Sequence, residues 1–217
     1  MPDGKILYGM MLYPDGGTVD DLLVYKEFAP DSYLLIVNAA NISKDCDWIM
    51  EQVGGYEVKV DNRSDEWGEI AIQGPEAEAT VCSVLGLGDA ASLNFYEFCN
   101  FQIDGRRVIV SRTGYTGEDG FEVYAPVDMT RLFWDRLLEA GVKPCGLGCR
   151  DTLRFEAGLP LYGDELSAEI SPIMAGLGIF CKLDKPEFIG KEAIAAQKLA
   201  GPAKKIVGIE IQDKAIP

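Results

Sequence analysis

The chain has 217 residues, 47% of them hydrophobic and 25% charged, so it can bury a core without the help of disulfides or metals. Its 35 acidic and 20 basic side chains give a formal net charge of −15, which repels a phosphate backbone and excludes nucleic acid as the expected partner. The sequence contains no histidine, which excludes Ser-His-Asp and Cys-His catalysis and the zinc sites that need an imidazole ligand.

Six cysteines are scattered along the chain without a C-x-x-C pair, a pattern typical of a reducing compartment. We interpret the closest pair, Cys145 and Cys149, as packing residues rather than metal ligands, and we predict no metal site. The sequence also lacks an apolar run of about 18 residues and the features of a signal peptide. We therefore predict a cytoplasmic protein.

In chain order, the first predicted elements are strands rich in Leu, Ile, Val and Tyr, separated by Pro, Asp and Gly turns. They cover residues 6–13, 19–28 and 33–38. Apolar residues at helical intervals before a Gly-Gly pair then predict a helix over 41–53. A strand over 67–73 and a helix over 75–85 follow, with Pro75 suited to the first helical position.

The second half is predicted to continue with three strands, two helices, a strand, a helix and a last strand. In that order they cover residues 93–103, 107–112, 121–125, 128–140, 148–157, 177–183, 190–199 and 205–211. Strands and helices come in clusters rather than in strict alternation, which favours an α+β fold with antiparallel sheets and packed helices. We predict two lobes, 1–64 and 65–217.

The segment 111–124 reads S-R-T-G-Y-T-G-E-D-G-F-E-V-Y and lies between two predicted strands. Its glycines belong either to an ordinary hairpin or to a loop that a ligand approaches closely. The two acidic residues at 118–119 disfavour a phosphate ligand. Tyr115 offers an aromatic face, and Glu122 offers a carboxylate that can accept two N–H groups from a flat heterocycle.

A second candidate is the acidic pair within G-G-T-V-D-D-L-L-V-Y at 16–25. Strand alternation places Asp21 in one apolar row and Asp20 in the other. A buried carboxylate needs a partner, because an unpaired buried charge is costly. The pair is consistent either with turn chemistry at the start of a strand or with a working carboxylate at a site.

A third candidate is Arg150, near the start of the helix predicted at 148–157. A cation at that end opposes the helix dipole, so it requires a compensating contact. Asp151 could supply a structural ion pair, or the guanidinium could hold an anionic group of a ligand.

Taken together, several motifs closely resemble the T-protein of the glycine cleavage system. They are P-D-G-K-x-x-Y-x-x-M at 2–11, G-G-T-V-D-D-L-L-V-Y at 16–25, V-N-A-A-N at 37–41, S-R-T-G-Y-T-G-E-D-G-F-E at 111–122, G-L-G-C-R-D at 146–151, L-Y-G-D-E-L at 161–166 and F-I-G-K-E-A at 188–193. The resemblance covers nearly the whole chain. It implies a folate-binding aminomethyltransferase fold, a three-lobed ring with folate in its central opening.

The resemblance implies roles for individual residues. Asp21 resembles the catalytic carboxylate that contacts tetrahydrofolate near N10, Glu122 the glutamate that binds the pterin ring, and Arg150 the arginine of the substrate site. It further implies that four residues line the folate cavity: Tyr8, Tyr25, Asn38 and Tyr115. The implied reaction transfers a one-carbon unit from the aminomethyl-lipoyl group of a carrier, the H-protein, to tetrahydrofolate as co-substrate, with release of ammonia.

The sequence also departs from the family pattern. Relatives carry an upstream F-D-V-S-H-M-G type stretch and a downstream barrel domain, and we expect this chain to lack both. Met174 and Ile179 stand where relatives commonly carry Glu and Trp.

Three alternatives therefore stay open. The first is a non-catalytic folate-binding or assembly-helper protein of the same fold, although segment 185–192 lacks the cysteine of helper proteins. The second is a folate-linked demethylase or oxidase domain, and the third is an inactive fragment.

Overall fold

The structure is a computed structural model and describes residues 1–212. Its strands are β1 Ile6–Leu12, β2 Thr18–Lys26, β3 Tyr33–Ile36, β4 Trp67–Gln73, β5 Phe98–Ile103, β6 Arg106–Ser111 and β7 Gly120–Pro126. Its α-helices are α1 Ile42–Gln52, α2 Ala77–Ser83, α3 Val127–Glu139, α4 Leu147–Glu156 and α5 Lys191–Ala200. The sheets are antiparallel, and the predicted α+β class is confirmed.

The first sheet has the strand order β1-β2-β3. β2 and β3 form a hairpin in which Leu23 lies opposite Ile36. The tight connection from β1 to β2 turns at Gly16, whose φ of +89° is in the region that glycine adopts without strain. The Asp15 carboxylate accepts a hydrogen bond from the Gly17 amide at 3.0 Å and closes this turn.

The second sheet has the strand order β4-β7-β6-β5. Because side chains alternate along a strand, Ile70, Val110 and Val123 share one face, where they belong to the main hydrophobic core. Helix α3 buries three residues at four-residue intervals in this core: Met129, Phe133 and Leu137. The apolar side chains on this face hold α2 and α3 against the sheet.

The opposite face of the second sheet is covered as well. Tyr25, Phe98, Ile109 and Tyr124 form a smaller buried cluster there. Every β7 residue except Pro126 is therefore buried. A polar side chain on this face of β7 must find hydrogen-bond partners inside the protein.

The chain divides into two compact units. The first contains Met1–Leu7 and Leu23–Leu159, and the second contains Tyr8–Leu22 and the chain from Pro160 onward. This division differs from the predicted lobes 1–64 and 65–217. The reason is that the N-terminal residues pair with the later sheet: Phe98 donates a backbone hydrogen bond to Gly4 and Ile6 donates one to Tyr96, both at 2.9 Å.

Most predicted elements are present, with ends shifted by a few residues, but two predicted strands are wrong. The segment 177–183 contains only a short 3-10 turn, Gly178–Phe180, because Gly176 at φ +77° and the Leu177 amide bonded to the Pro172 carbonyl fold it into successive turns. The segment 205–211 has no partner strand within residues 1–212. Its apolar residues therefore stay exposed.

None of the helices within residues 1–212 combines the length and the apolar character needed to cross a membrane.

Candidate functional site

Glu122 is the centre of the polar cluster in the first unit. It lies on β7, opposite Ala71 of β4 and Ser111 of β6, and only 7% of it is exposed. Its Oε2 atom accepts a hydrogen bond from the Thr113 hydroxyl at 2.5 Å and one from the Tyr124 hydroxyl at 3.2 Å. These donors stabilise a charge that would otherwise be costly to bury.

Three hydroxyl groups point in sequence toward this carboxylate. Tyr25 donates to the Ser111 hydroxyl at 3.0 Å, and the Ser111 and Thr113 hydroxyls are 2.7 Å apart. Since the Thr113 proton is directed to Glu122, Ser111 must donate to Thr113. The chain of aligned O–H dipoles therefore ends on Oε2 of Glu122, and each bond polarises the next.

Burial keeps the tyrosine hydroxyls of this cluster protonated. Desolvation, and then repulsion from the Glu122 charge, raise the pKa of Tyr25 far above its ordinary value. Desolvation, and then the nearby glutamate charges, raise the pKa of Tyr124 in the same direction. Both groups act as hydrogen-bond donors at neutral pH.

The glycines of the hairpin between β6 and β7 make room for protein side chains. A Cβ atom on Gly114 would lie 1.8 Å from Oε1 of Gln73, and one on Gly120 would lie 2.4 Å from the same side chain. The Gln73 carboxamide fills this space and donates to the carbonyls of Thr113 and Phe121 at 3.2 and 3.3 Å. The idea that these two glycines admit a ligand is therefore wrong, because Gln73 already occupies the space.

Tyr115 and Arg150 are brought together although they are far apart in sequence. The Arg150 guanidinium lies 4.7 Å from the centre of the Tyr115 ring, a cation–π arrangement. The alternative partner of Arg150, Asp151, instead pairs with Arg154, whose Nε donates to Oδ1 at 2.8 Å. Arg150 is thus held by an aromatic face, and its side chain stays exposed.

The second unit contains the other candidate pair. The Tyr8 hydroxyl donates to Oδ2 of Asp21 at 2.9 Å, and the Tyr8 ring packs edge-on against Phe180 with ring centres 4.9 Å apart. Asp21 is partly exposed, whereas Asp20 is fully buried. The predicted alternation thus leaves Asp21, of the two acids, in contact with solvent.

Two predicted cavity residues have other surroundings. Tyr25 is fully buried, so any role it has in ligand binding is exerted through the hydroxyl chain to Glu122. Asn38 lies immediately before the 3-10 turn Ala39–Asn41, and its carbonyl accepts a hydrogen bond from the Asn41 amide at 2.8 Å. It contacts neither Glu122 nor Arg150 in the described hydrogen bonds of the first unit.

Sequence reasoning missed the residues that support Glu122. Thr113 and Tyr124 lie two positions from Ser111 and Glu122 respectively, so strand alternation already signals that they share a face. Tyr25 lies 86 residues from Ser111, and no local pattern indicates that contact.

The prediction that Cys145 and Cys149 pack in the interior is wrong, because both are exposed. Within residues 1–212, no group of three or more acidic or cysteine side chains is arranged to hold a metal ion.

Comparison with known proteins identifies the family. The family model described as the GCVT N-terminal domain matches residues 1–185. The chain belongs to this family. As a GCVT-domain protein it is 53% identical to the aminomethyltransferase of Lysinibacillus sphaericus over 219 residues, and 49% identical to that of Desulfitobacterium hafniense over 218 residues. Each alignment covers 99% of this chain and 59% of the relative.

A solved structure supports the same assignment for the GCVT-domain chain. The crystal structure of glycine cleavage system aminomethyltransferase T from Bartonella henselae superposes with a TM-score of 0.85 at 30% sequence identity. The match covers 94% of this chain and 55% of that one. The chain therefore spans a little more than half the length of the relatives it matches.

Proposed function

We propose that this chain carries the folate-binding part of an aminomethyltransferase of the glycine cleavage system. The observation that carries the proposal is the buried Glu122 carboxylate with donors on one side. Thr113 and Tyr124 both bond to Oε2, so Oε1 is not used by these two donors. A carboxylate held in this way can accept the ring N–H and the amino group of a pterin together.

Tyr115 and Arg150 supply the second contact type. The exposed Arg150 guanidinium is oriented by the Tyr115 ring, and its N–H groups can bind a carboxylate of the folate tail or of the substrate. Tyr25 supports the site from within the protein, and Asn38 is proposed to line it, as the family resemblance implies.

Asp21 is proposed to act at the reacting centre. Its carboxylate is fixed by the Tyr8 hydroxyl yet remains partly exposed, so it can orient or polarise a folate nitrogen by accepting its N–H. This role is distinct from ligand binding by Glu122, and the two can be separated experimentally.

The reaction follows from the bonds that must change. The one-carbon unit is joined to a lipoyl sulfur and to an amino nitrogen, and both bonds break as N5 and N10 of tetrahydrofolate bond to that carbon. The two protons leaving N5 and N10 end on the amine and the sulfur, giving ammonia and the reduced lipoyl arm. The protein's contribution is to hold N5 against the carbon and to keep water from competing for it.

The proposed partners are tetrahydrofolate as co-substrate and a lipoylated carrier, the H-protein. No metal is required by this chemistry. We also propose a cytoplasmic location, supported by the six cysteines, all of which are free thiols.

The test is calorimetric titration of the chain with tetrahydrofolate, combined with an assay of folate-dependent ammonia release from the aminomethyl-lipoyl carrier. Glu122→Gln should lower the affinity by about 10- to 100-fold, because hydrogen bonds to a charged acceptor are lost. Asp21→Asn should keep most of the affinity and lose ammonia release. The opposite pattern, or a wild-type chain that binds no tetrahydrofolate, would overturn the proposal.

A further inference from the structure

Glu69 is a second glutamate beside Glu122 that none of the roles above uses. It lies on β4 directly opposite Tyr124, while Ala71 lies opposite Glu122. Glu69 and Glu122 are therefore diagonal neighbours on the same face of two paired strands, a separation that long side chains bridge. A hydrogen bond joins their two carboxyl groups.

The two glutamates differ in their access to solvent. Glu122 is buried and saturated on one oxygen by the Thr113 and Tyr124 hydroxyls, whereas Glu69 keeps an exposed side chain. Glu69 is thus the member of the pair that a ligand reaches first. The pair forms an acid surface with one outer and one inner carboxyl group.

A hydrogen bond between two carboxyl groups requires a proton on one of them, since two carboxylates offer only acceptors. Desolvation by the surrounding protein, and then the charge of Glu122, raise the pKa of Glu69 to about 7, and Arg150 opposes the rise. Because Glu69 retains exposed surface, water reduces the cost of its charge. The proton therefore resides mainly on Glu69 below neutral pH and is lost as the pH rises above it.

Other charged groups face Glu69 from the neighbouring elements. Tyr124 lies on β7 and Arg150 on α4. On the side of α3, Arg131 and Asp135 line a shallow hollow of about 360 Å³ together with Glu69. These last two carry opposite charges, so they oppose each other in their effect on the Glu69 proton.

The edge of a pterin ring presents three hydrogen-bonding groups in a row: the amino group at position 2, the N–H at position 3 and the carbonyl oxygen at position 4. A carboxylate beside a carboxylic acid presents the complementary row, with acceptors followed by one O–H donor. We propose that Glu69 is a second pterin-binding residue, whose carboxyl O–H donates to the 4-oxo group while Glu122 accepts the two N–H groups. This inference rests on the proposed folate site and assigns its specificity for a 4-oxo pterin.

The experiment titrates the chain with tetrahydrofolate and with its 4-amino analogue between pH 6 and pH 8.5. Wild type should prefer the 4-oxo ligand, and its affinity should fall by about tenfold for each pH unit above the pKa of Glu69. Glu69→Gln keeps an N–H donor without a titrating proton, so it should keep the preference and lose the pH dependence. Glu69→Leu should lose the preference. Glu57→Gln, an exposed glutamate elsewhere in the first unit, is the matched control.

The outcomes separate this inference from the proposed function. If wild type binds no tetrahydrofolate at pH 6, the folate site itself is refuted. If wild type binds but Glu69→Leu keeps the 4-oxo preference, or Glu69→Gln keeps the pH dependence, the role of Glu69 is refuted and the folate site stands. Circular dichroism of each variant confirms that the fold is retained.

Discussion

The Gln73 carboxamide lies where a side chain on Gly114 would have to be, with Oε1 only 1.8 Å from the ideal Cβ position. The same side chain bonds to two carbonyls of the hairpin, those of Thr113 and Phe121. Gln73 therefore fixes the loop that joins β6 to β7, and the glycines are small because of it.

Gly114→Ala should consequently destabilise the protein by about 1–3 kcal/mol, because the added methyl group displaces a hydrogen-bonded side chain. Urea unfolding followed by circular dichroism measures the change. Gly88→Ala is the control, since a Cβ atom there meets nothing within 4 Å, and its effect should stay within about 0.5 kcal/mol. Equal stability of Gly114→Ala and wild type would contradict the role given to Gln73.

Thr113→Val should weaken both stability and tetrahydrofolate binding. The substitution keeps the shape of the side chain but removes the 2.5 Å hydrogen bond to Glu122, and a bond to a charged acceptor contributes about 1.5–3 kcal/mol. Thr113→Ser retains the hydroxyl and should behave like wild type. The comparison of the two variants by urea unfolding and calorimetry checks the prediction, and identical loss in both would point to packing instead of hydrogen bonding.

Tyr115→Leu should lower the affinity for tetrahydrofolate while changing stability by no more than about 1 kcal/mol. The ring holds the exposed Arg150 guanidinium at 4.7 Å, and an exposed cation–π contact is worth about 0.5–1 kcal/mol. Tyr115→Phe keeps the aromatic face and should keep the affinity. Calorimetric titration measures both variants; loss of affinity in Tyr115→Phe would show that the hydroxyl, not the ring, is the important group.

Glu97 should make the protein less stable in acid. A hydrogen bond from Lys5, supplemented by donors of Asn94, lowers the pKa of Glu97 to about 2. A lowered pKa means that the stabilisation is present above the unfolded-state value of about 4.3 and is lost as the pH falls through about 2. The melting temperature of Glu97→Gln should therefore approach that of wild type as the pH drops over this window.

The matched control for Glu97 is Glu51→Gln, which removes an exposed acid on α1. A constant difference between Glu97→Gln and wild type from pH 5 to pH 2 would show that the charge of Glu97 does not stabilise the fold.

The sequence supports part of this picture because local patterns are read directly from it. Strand alternation indicates that Glu122 and Tyr124 share a face, and helical spacing indicates α3 almost to the residue. It does not indicate that Asp151 pairs with Arg154 and leaves Arg150 to Tyr115, since that choice depends on how α4 meets a hairpin far away in sequence.

The two wrong strands have a physical explanation of the same kind. Apolar residues over 177–183 and 205–211 suit a strand locally, but a strand also needs a partner edge, and within residues 1–212 neither segment pairs with one. The register that placed Glu69 beside Glu122 was equally beyond local reasoning, because it is fixed by the pairing of β4 with β7.

The inner position of β7 has a consequence for how ligand binding is transmitted. β7 is bonded to β4 on one edge and to β6 on the other, and both of its faces are covered. Its amide protons should therefore exchange with solvent only when the whole first unit opens, not by local fraying. A ligand held by Glu122 grips the slowest-opening strand of the unit, so the full binding free energy should appear as protection against deuterium uptake throughout the surrounding sheet.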